Sequence, residues 1–203
     1  MKTGETSYKE TSFGIIPRTR LVKLEAEGIE RGIKFLYAES KSLKSKVTFQ
    51  LILELHNRSF GWIFPQWAGK FRTIQVEYSE KEAPPYHQVA QLVTDLCLDL
   101  KERLKHLPKI GDDNFLKQLS GLLAWFQYRF VFIHPFNDYN GRTARMLTSF
   151  ICFLVQFPPI EIKVDRGAGR KRYISAMKMA DKGNLEKLER IIFTALSEAI
   201  INV

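Results

Sequence analysis

The chain of 203 residues carries 31 lysines and arginines against 22 aspartates and glutamates, which gives a formal net charge of +9. With 45% apolar and 12% aromatic residues, it has the composition of a globular protein, and wholesale disorder is excluded. The length favours one domain, which would bury about 70% of the surface of the extended chain without disulfides or metal ions. The basic balance favours an anionic partner such as nucleic acid, a membrane surface or a polyphosphate ligand. Because the basic residues are spread along the chain, a solvated surface with a general cationic bias is the alternative explanation.

The cysteines and the apolar runs narrow the class of protein further. Cys97 and Cys152, the only cysteines, stand inside apolar, helix-like runs, which predicts buried free thiols and excludes a disulfide scaffold. Residues 1–13 lack the apolar core of a signal peptide. The longest apolar stretch, Met146–Val155, is far shorter than the ~20 residues that span a bilayer. We therefore expect a soluble, cytoplasmic protein with no membrane partner.

Helical periodicity dominates the chain. After an N-terminal arm at residues 1–18, apolar residues recur at helical spacing and predict seven helices. These lie at about 19–38, 47–56, 87–107, 114–132, 142–155, 173–179 and 185–200. Gly28 and Gly32 weaken the first of them. The predicted fold class is mainly all-α, a helical bundle that forms one domain over residues 19–203.

Two segments between the helices depart from that period. Residues 60–69 combine aromatic rings with glycine and proline, and we expect the rings to pack as a plug over the core rather than to form a base-stacking platform. From Arg72 to Tyr78, apolar and polar residues alternate as in a half-buried strand. Pro84 and Pro85 then prevent an immediate return to helix. The sequence thus predicts a short strand or hairpin among the helices.

One segment of twelve residues, 134–145, concentrates the side chains that could carry chemistry, and we call it the signature loop. Pro135 pushes the preceding residue away from helical angles, so that His134 is expected at the exit of a helix. Asn140-Gly141 signals a turn, after which helical period resumes. The loop therefore leads directly into a helix N-terminus, whose unpaired backbone amides and partial positive charge favour an anion.

The charged residues of the signature loop fit a phosphate ligand. Arg142 and Arg145 are three residues apart in the first helical turn and project to the same side, where they oppose the helix dipole unless an anion compensates them. Guanidinium groups bind phosphate through paired hydrogen bonds. Asp138 offers an oxygen ligand of the kind that holds Mg²⁺ beside phosphate, and His134 is a candidate base. Together these residues indicate phosphoryl or nucleotidyl transfer.

The segment resembles the signature loop of Fic-domain proteins, which reads H-P-F-x-[DE]-G-N-[GK]-R with a second arginine three residues on. The matching positions are His134, Pro135, Phe136, Asp138, Asn140, Gly141, Arg142 and Arg145. The run Trp67-Ala68-Gly69-Lys70-Phe71-Arg72-Thr73 is similar to the family's entrance to its flap. The resemblance extends over about residues 49–195. The size of the chain and its C-terminal tail look most like the small Fic proteins of bacterial mobile elements.

The resemblance implies a protein adenylyltransferase that moves AMP from ATP to a Ser, Thr or Tyr hydroxyl of a target protein. By this resemblance, His134 would be the base, Asp138 would hold Mg²⁺, and Phe136 would anchor the loop in the core. Nucleotide phosphates would be bound by Tyr139, Asn140, Gly141, Arg142 and Arg145. The flap would pair with the backbone of the target in the manner of an added strand. Its residues would be Arg72, Thr73, Ile74, Gln75 and Val76.

The chain departs from the family pattern at Tyr139, where the family has glycine. A tyrosine in left-handed conformation costs about 1–2 kcal/mol and adds a ring beside the anion site. Three interpretations follow: an active enzyme with a modified pocket, an enzyme that uses a different donor or acceptor, and an inactive fold.

The family also implies a regulatory element. Many Fic proteins carry an inhibitory helix with the motif [ST]-x-x-x-E-[GN], whose glutamate pairs with the second arginine of the loop. Glu27-Gly28 fits the end of that motif, although Lys23 occupies the Ser/Thr position, and an ordinary solvent-facing glutamate is the alternative. Self-inhibition, an antitoxin partner and a homo-oligomer are therefore the regulatory partners to consider.

Two classes of function compete with this interpretation. A basic helical module that binds nucleic acid would explain the charge, but the basic residues are dispersed and no reading helix is recognisable. A metal hydrolase would need histidines at ligand spacing. The four histidines at positions 56, 87, 106 and 134 are scattered, with no i, i+4 pair.

Overall fold

The computed structural model describes residues 10–42, 45–164 and 167–201, and the fold is a helical bundle as the periodicity predicts. Its helices are α1 (Arg18–Ser40), α2 (Phe49–Phe60), α3 (Val89–Lys105), α4 (Phe115–Ile133), α5 (Asn140–Leu154), α6 (Gly167–Ala180) and α7 (Glu186–Ile201). A single turn of 3₁₀ helix, Tyr86–Gln88, precedes α3. Helix α6 begins six residues earlier than its apolar pattern suggests. In the described part of the chain, no helix is long and apolar enough to cross a membrane.

Helices α4 and α5 form the centre of the bundle. Helix α4 packs against α3, α5 and α7, while α1 covers α2 and α5 on the opposite side. The core rings of α4, Phe126 and Phe130, are fully buried, as is Phe150 of α5. The signature loop connects these two central helices, so that its residues are fixed at both ends by the most deeply buried elements of the fold.

The two glycines of α1 explain how closely this helix approaches its neighbours. A Cβ added at Gly28 would collide with the backbone carbonyl oxygen of Ser59 in α2. A Cβ at Gly32 would collide with the Ser59 hydroxyl and the sulfur of Met146. The glycines therefore cost helix propensity but allow α1 to lie directly against α2 and α5, and this contact places the first turns of α1 over the signature loop.

The predicted strand at 72–78 forms only at its end. Strand β1 (Glu77–Tyr78) pairs antiparallel with β2 (Lys81–Glu82), and Tyr78 lies opposite Lys81. The segment before β1 does not join a sheet in the described chain because the Arg72 side chain and its backbone amide bind loop carbonyls instead. The expectation of a short hairpin is confirmed, but that of a seven-residue strand is wrong.

Two other predictions are confirmed. In the aromatic segment 60–69, Phe60 and Phe64 are buried and pack over the core. Cys97 and Cys152 are buried free thiols, and burial raises the pKa of each to about 12.

Of the N-terminal arm, residues 1–9 lie outside the described part. The rest docks on the aromatic segment, where the Ser12 amide donates to the Ile63 carbonyl at 2.8 Å.

Candidate active site

His134 stands where α4 ends, as the following proline predicts. Its backbone is left-handed (φ 51°, ψ 57°), and its amide still donates to the Phe130 carbonyl at 3.2 Å. The imidazole is half-buried and lines a cavity of about 870 Å³, so it is accessible from the cavity. The predicted base therefore faces an open space large enough for a ligand.

The hydrogen bonding of His134 fixes its tautomer. Nδ1 lies 3.1 Å from the Val131 carbonyl oxygen. A carbonyl oxygen can only accept, so Nδ1 carries the proton and Nε2 holds a lone pair. Burial first, and then the positive charges of Arg72 and Lys81, lower the pKa of His134 to about 4. At neutral pH the imidazole is therefore uncharged and can accept a proton at Nε2.

Tyr78 of the hairpin holds the His134 ring in place. The two rings stack with centroids 4.1 Å apart and planes 15° apart. The Tyr78 hydroxyl donates to the Phe132 carbonyl at 3.2 Å, which anchors the hairpin to the last turn of α4. The hairpin and the candidate base thus form one packed unit.

The signature loop is closed by its own asparagine. Asn140 Oδ1 accepts from the Phe136 amide at 2.9 Å, and its Nδ2 donates to the Phe136 carbonyl at 2.8 Å. Since Asn140 is only 2% exposed and both ends of its amide are used within the loop, its side chain positions the backbone. Phe136 is fully buried, as expected for an anchor.

His56, which sequence reasoning treated only as one of four scattered histidines, supports the loop from below. Its Nδ1 accepts from the Gly69 amide at 2.9 Å, so that Nε2 carries the proton and donates to the Asp138 carbonyl at 3.2 Å. Its ring stacks on Phe136 at 3.7 Å. Burial lowers the pKa of His56 to about 4. This neutral histidine joins the Trp67–Thr73 run to the signature loop.

Arg72 has a different place from the one predicted for it. It is 2% exposed, and Nε donates to the His134 carbonyl at 2.8 Å while Nη2 donates to the carbonyl of Pro84. Its backbone amide donates to the Pro135 carbonyl at 2.9 Å. Arg72 therefore lies buried between the flap and the loop and joins the two by hydrogen bonds. Neither its side chain nor its amide is accessible to a target.

Tyr139 adopts the left-handed conformation that the glycine of the family pattern would supply, with φ 61° and ψ 13°. Its ring is 8% exposed and stacks on Phe60 at 4.2 Å, with Trp67 at 6.0 Å. The aromatic segment thus provides a socket that holds the ring at the edge of the cavity. The hydroxyl donates to Glu25 Oε1 of α1 at 2.8 Å, and burial raises the pKa of Tyr139.

The N-terminus of α5 opens into the same cavity as His134. The first helical hydrogen bond is that from the Thr143 amide to the Tyr139 carbonyl, at 2.9 Å. The amides of Asn140, Gly141 and Arg142 donate to no acceptor among the residues that the structure describes, so they are the free donors of the helix. Arg142 and Arg145 both line this cavity, together with Arg18 and Arg170. Among the described lining residues, two carboxylates, those of Glu25 and Asp138, face these four cations, so that the described part of the cavity wall carries a net positive charge.

The glutamate that reaches the signature loop is Glu25 and not Glu27. Glu27 forms an exposed pair with Arg31 at 2.6 Å, the solvent-facing alternative. Glu25 is 2% exposed, and its Oε2 lies 2.9 Å from Arg142 Nη1. These two buried atoms are close without hydrogen-bond alignment, and neither has another hydrogen-bond partner in the described chain. Arg18 Nη1 adds a longer contact to Oε1, 3.4 Å.

The donor set of the cavity fits Mg²⁺ bound with a nucleotide. Asp138 lines the cavity and is exposed, and its Oδ1 accepts from the Tyr139 amide at 2.7 Å. In the described residues there is no group of three or more His, Cys, Asp or Glu side chains that could hold a metal by themselves. Mg²⁺ is commonly bound by one or two carboxylates plus substrate phosphates and water, so a single aspartate beside an anion site is compatible with it.

The remaining flap residues form an exposed edge. Thr73, Ile74 and Gln75 are exposed, and Val76 is half-buried. Among the residues that the structure describes, none accepts from the backbone amides of Thr73, Ile74 or Gln75. A free edge of this kind can pair with an extended peptide.

Comparisons with known proteins identify relatives in sequence and in structure. The sequence profile of the Fic/DOC family matches residues 46–152. A protein adenylyltransferase Fic of Drosophila grimshawi is 33% identical over 168 residues, which cover 83% of this chain and 32% of the relative. The structure of Fic-1 (residues 134–508) from C. elegans superposes with a TM-score of 0.71 at 28% identity, covering 88% of this chain and 49% of that one.

A structure with bound AMPPNP shares the fold at lower identity. The BepC protein of Bartonella tribocorum has a TM-score of 0.72 at 14% identity and covers 95% of this chain and 93% of its own. The chain spans about a third of the length of the Drosophila relative. That relative is an animal protein, and it gives no support to the bacterial mobile-element subgroup expected from the size of the chain.

Proposed function

This chain belongs to the Fic/DOC family, and we propose that it transfers AMP from ATP to a Ser, Thr or Tyr hydroxyl of a target protein. Its curated relatives are named protein adenylyltransferases. The observation that carries the proposal is that one cavity is lined by the His134 imidazole, the N-terminus of α5 and the two arginines of the signature loop.

In the proposed step, the target hydroxyl oxygen forms a bond to the α-phosphorus of ATP. The bond from that phosphorus to the oxygen that bridges to the β-phosphate breaks, and pyrophosphate leaves. The hydroxyl proton passes to Nε2 of His134, whose lone pair is available because Nδ1–H is committed to the Val131 carbonyl. A positioned base of this kind contributes about 10²–10⁴-fold to a rate.

The phosphates would be bound by the loop backbone and the arginines. Asn140 would contribute its backbone amide, since its side chain closes the loop, and Gly141 adds a second amide at the start of α5. Arg142 and Arg145 would bind the β- and γ-phosphates. Asp138 would hold Mg²⁺, which when bound neutralises part of the phosphate charge.

The exposed edge from Thr73 to Val76 would dock the target. A target segment paired there would be held beside Tyr78, the residue that stacks on His134. The packed hairpin would thus bring the hydroxyl to the base, which is the positioning that accelerates a reaction between two bound groups.

Self-inhibition is the regulatory part of the proposal, with Glu25 in place of Glu27 and with Arg142, the first arginine of the loop, as its partner instead of the second, Arg145. Glu25 occupies the guanidinium of Arg142, so ATP must displace or share this contact before its phosphates bind. Glu25→Gln removes the charge and keeps the shape. It should tighten ATP binding measured by calorimetry, whereas Glu27→Gln on the exposed side of α1 should leave it unchanged. Equal ATP affinities for the two variants would rule out this role for Glu25.

The transferase itself is tested with labelled ATP and Mg²⁺, with label transfer to the protein or to target extracts as the readout. We expect His134→Ala to abolish transfer and His87→Ala, which alters an exposed histidine in the turn before α3, to retain it. Transfer that survives His134→Ala would contradict the proposed base.

The test also separates the two other interpretations of Tyr139. Label from another nucleotide donor but not from ATP would indicate a changed donor. No transfer from any donor would indicate an inactive fold. The position of the Tyr139 ring in its aromatic socket supports activity, because the cavity in front of the α5 amides is open at about 870 Å³.

A further inference from the structure

A second cavity lies against the flap. It has a volume of about 440 Å³ and is lined by Glu10, Gln66, Trp67, Ile74, Val76 and Asn137. We call it the flap cavity. It shares no lining residue with the 870 Å³ cavity that contains the signature-loop arginines, so it is a separate space.

The walls of the flap cavity combine an apolar slot with oxygen acceptors. Trp67, Ile74 and Val76 provide the apolar surface. Asn137 Oδ1 is buried and has no hydrogen-bond partner in the described part of the chain, and a buried acceptor without a donor is destabilising. Among the described residues that line the cavity, Glu10 is exposed and is the one with a formally charged side chain. In a protein of net charge +9, this described lining is locally negative.

We propose that the flap cavity binds a lysine or arginine side chain of the target, close in sequence to the modified hydroxyl. The aliphatic stem of such a side chain would lie along Trp67, Ile74 and Val76, as long cationic side chains do on apolar surfaces. The half-buried Asn137 side chain would turn its Oδ1 toward the N–H groups and accept from them, and the charge would be near Glu10. An apolar side chain would leave the Asn137 oxygen without a donor, and an acidic one would be repelled by Glu10.

The geometry of the flap fixes how far this side chain is from the hydroxyl. Ile74 and Val76 line the flap cavity, and Tyr78, the next residue in the same alternation, stacks on His134. A strand advances about 3.3 Å per residue and repeats its facing every second residue. A target paired on this edge therefore presents the basic side chain about two to four residues from the hydroxyl. This proposal rests on the proposed function, since it assumes that the flap docks the target.

The test uses synthetic nine-residue peptides with a central tyrosine, serine or threonine, in which lysine, norleucine or glutamate is placed at each other position in turn. Norleucine matches the lysine stem and lacks the ammonium group. The first readout is label transfer from ATP. The second is peptide binding, followed by the NMR signal of the Trp67 indole, which does not depend on any transfer. We expect lysine two to four positions from the acceptor to exceed norleucine about tenfold in either readout.

Two variants test whether the flap cavity is the source of the preference for lysine over norleucine. Glu10→Gln should reduce the lysine preference about threefold, and Asn137→Leu should invert it in favour of norleucine. Because each variant is judged by its ratio between peptides, damage to overall activity cancels. Glu30→Gln, which removes a carboxylate from an exposed pair with Lys34 on α1, is the matched control and should keep the wild-type ratio.

The outcomes separate this proposal from the transferase itself. A lysine preference in Trp67 binding without label transfer would support the flap cavity and contradict the transferase. Transfer with equal rates for lysine and norleucine at all positions would overturn the flap cavity alone. A lysine preference that persists in both Glu10→Gln and Asn137→Leu would also overturn it, because the cation would then be recognised elsewhere.

Discussion

The signature loop and helix α1 line the same cavity, and opposite charges meet where Glu25 of α1 contacts Arg142 of the loop. The loop contributes Arg142, Arg145 and the free amides of α5, and it is held by contacts within its own neighbourhood. Helix α1 contributes the carboxylate of Glu25, which is placed there by the close approach of Gly28 to α2. One region attracts phosphate and the other competes with it, so the balance between them decides when a nucleotide binds.

On helix α1, a shift of two positions in the sequence decides whether a glutamate faces the cavity or the solvent. A helix turns about 100° per residue, so Glu25 and Glu27 lie about 200° apart around the axis. Glu25 shares the buried face of Leu21, Gly28, Gly32 and Leu36, while Glu27 pairs with Arg31 in solvent. Two glutamates separated by one alanine therefore have unrelated environments.

The largest expected effect concerns Arg72, whose buried side chain joins the flap to the signature loop. Arg72→Met removes the donors to the carbonyls of His134, Ile74 and Pro84, and buried acceptors without donors are costly. We expect a loss of about 3–5 kcal/mol in the free energy of unfolding, measured with urea. Lys34→Met, in an exposed pair on α1, should change it by less than about 0.5 kcal/mol. Similar losses of unfolding free energy in both variants would show that the Arg72 hydrogen bonds do not stabilise the loop.

A smaller effect is expected in the pH dependence of the free energy of unfolding, because His56, which contacts the signature loop, is buried and uncharged. His56 has a native pKa of about 4 against an ordinary value of 6.5, so the unfolded chain binds more protons between these values. Stability should fall as pH falls from about 6.5 to 4, by about 2 kcal/mol per buried histidine between pH 7 and pH 5.

The variant His56→Gln isolates the contribution of this histidine. Its amide can accept from Gly69 and donate to the Asp138 carbonyl, and it does not titrate. Urea unfolding at pH 7 and pH 5 should therefore show a shallower loss in the variant, whatever its absolute stability. The same pH dependence in both proteins would contradict the buried neutral state of His56.

The smallest effect lies at the contact between the two regions. Tyr139→Phe keeps the ring in its aromatic socket and removes the hydroxyl that donates to Glu25. Because Glu25 keeps its contacts with Arg142 and Arg18, we expect a loss of about 1 kcal/mol in the free energy of unfolding, the contribution of an average hydrogen bond. Because Glu25 is then held less firmly against Arg142, ATP should bind somewhat more tightly, though less so than in Glu25→Gln. Tyr37→Phe, an exposed tyrosine of α1, is the control, and an unchanged ATP affinity in Tyr139→Phe would show that the hydroxyl does not position Glu25.

The features that could be predicted from the sequence are those that depend on residues close together in the chain. Pro135 determines locally that α4 ends at His134, and the spacing of Arg142 and Arg145 determines that they share a side, so both were predictable. The helical bundle follows from apolar periodicity, which is also a local pattern.

The features that sequence reasoning missed depend on contacts between distant parts of the chain. His56 reaches the loop across 82 residues, and Tyr139 meets Glu25 across 114. The alternation at 72–78 suggested a strand because it cannot reveal that the Arg72 side chain and amide are used by loop carbonyls. One signal was available for Glu25, since it lies in the same helical stripe as Leu21, Gly28 and Gly32, where a solvent-facing glutamate is not expected.

One comparison of initial rates tests the whole account most directly. Label transfer from ATP is measured for wild type, Glu25→Gln, Glu27→Gln and the double variant Glu25→Gln/His134→Ala. We predict a rise of about tenfold in Glu25→Gln, equivalent to about 1.4 kcal/mol, no change in Glu27→Gln, and loss of transfer in the double variant. Equal rates in the two single variants, or transfer that persists without the imidazole, would contradict it.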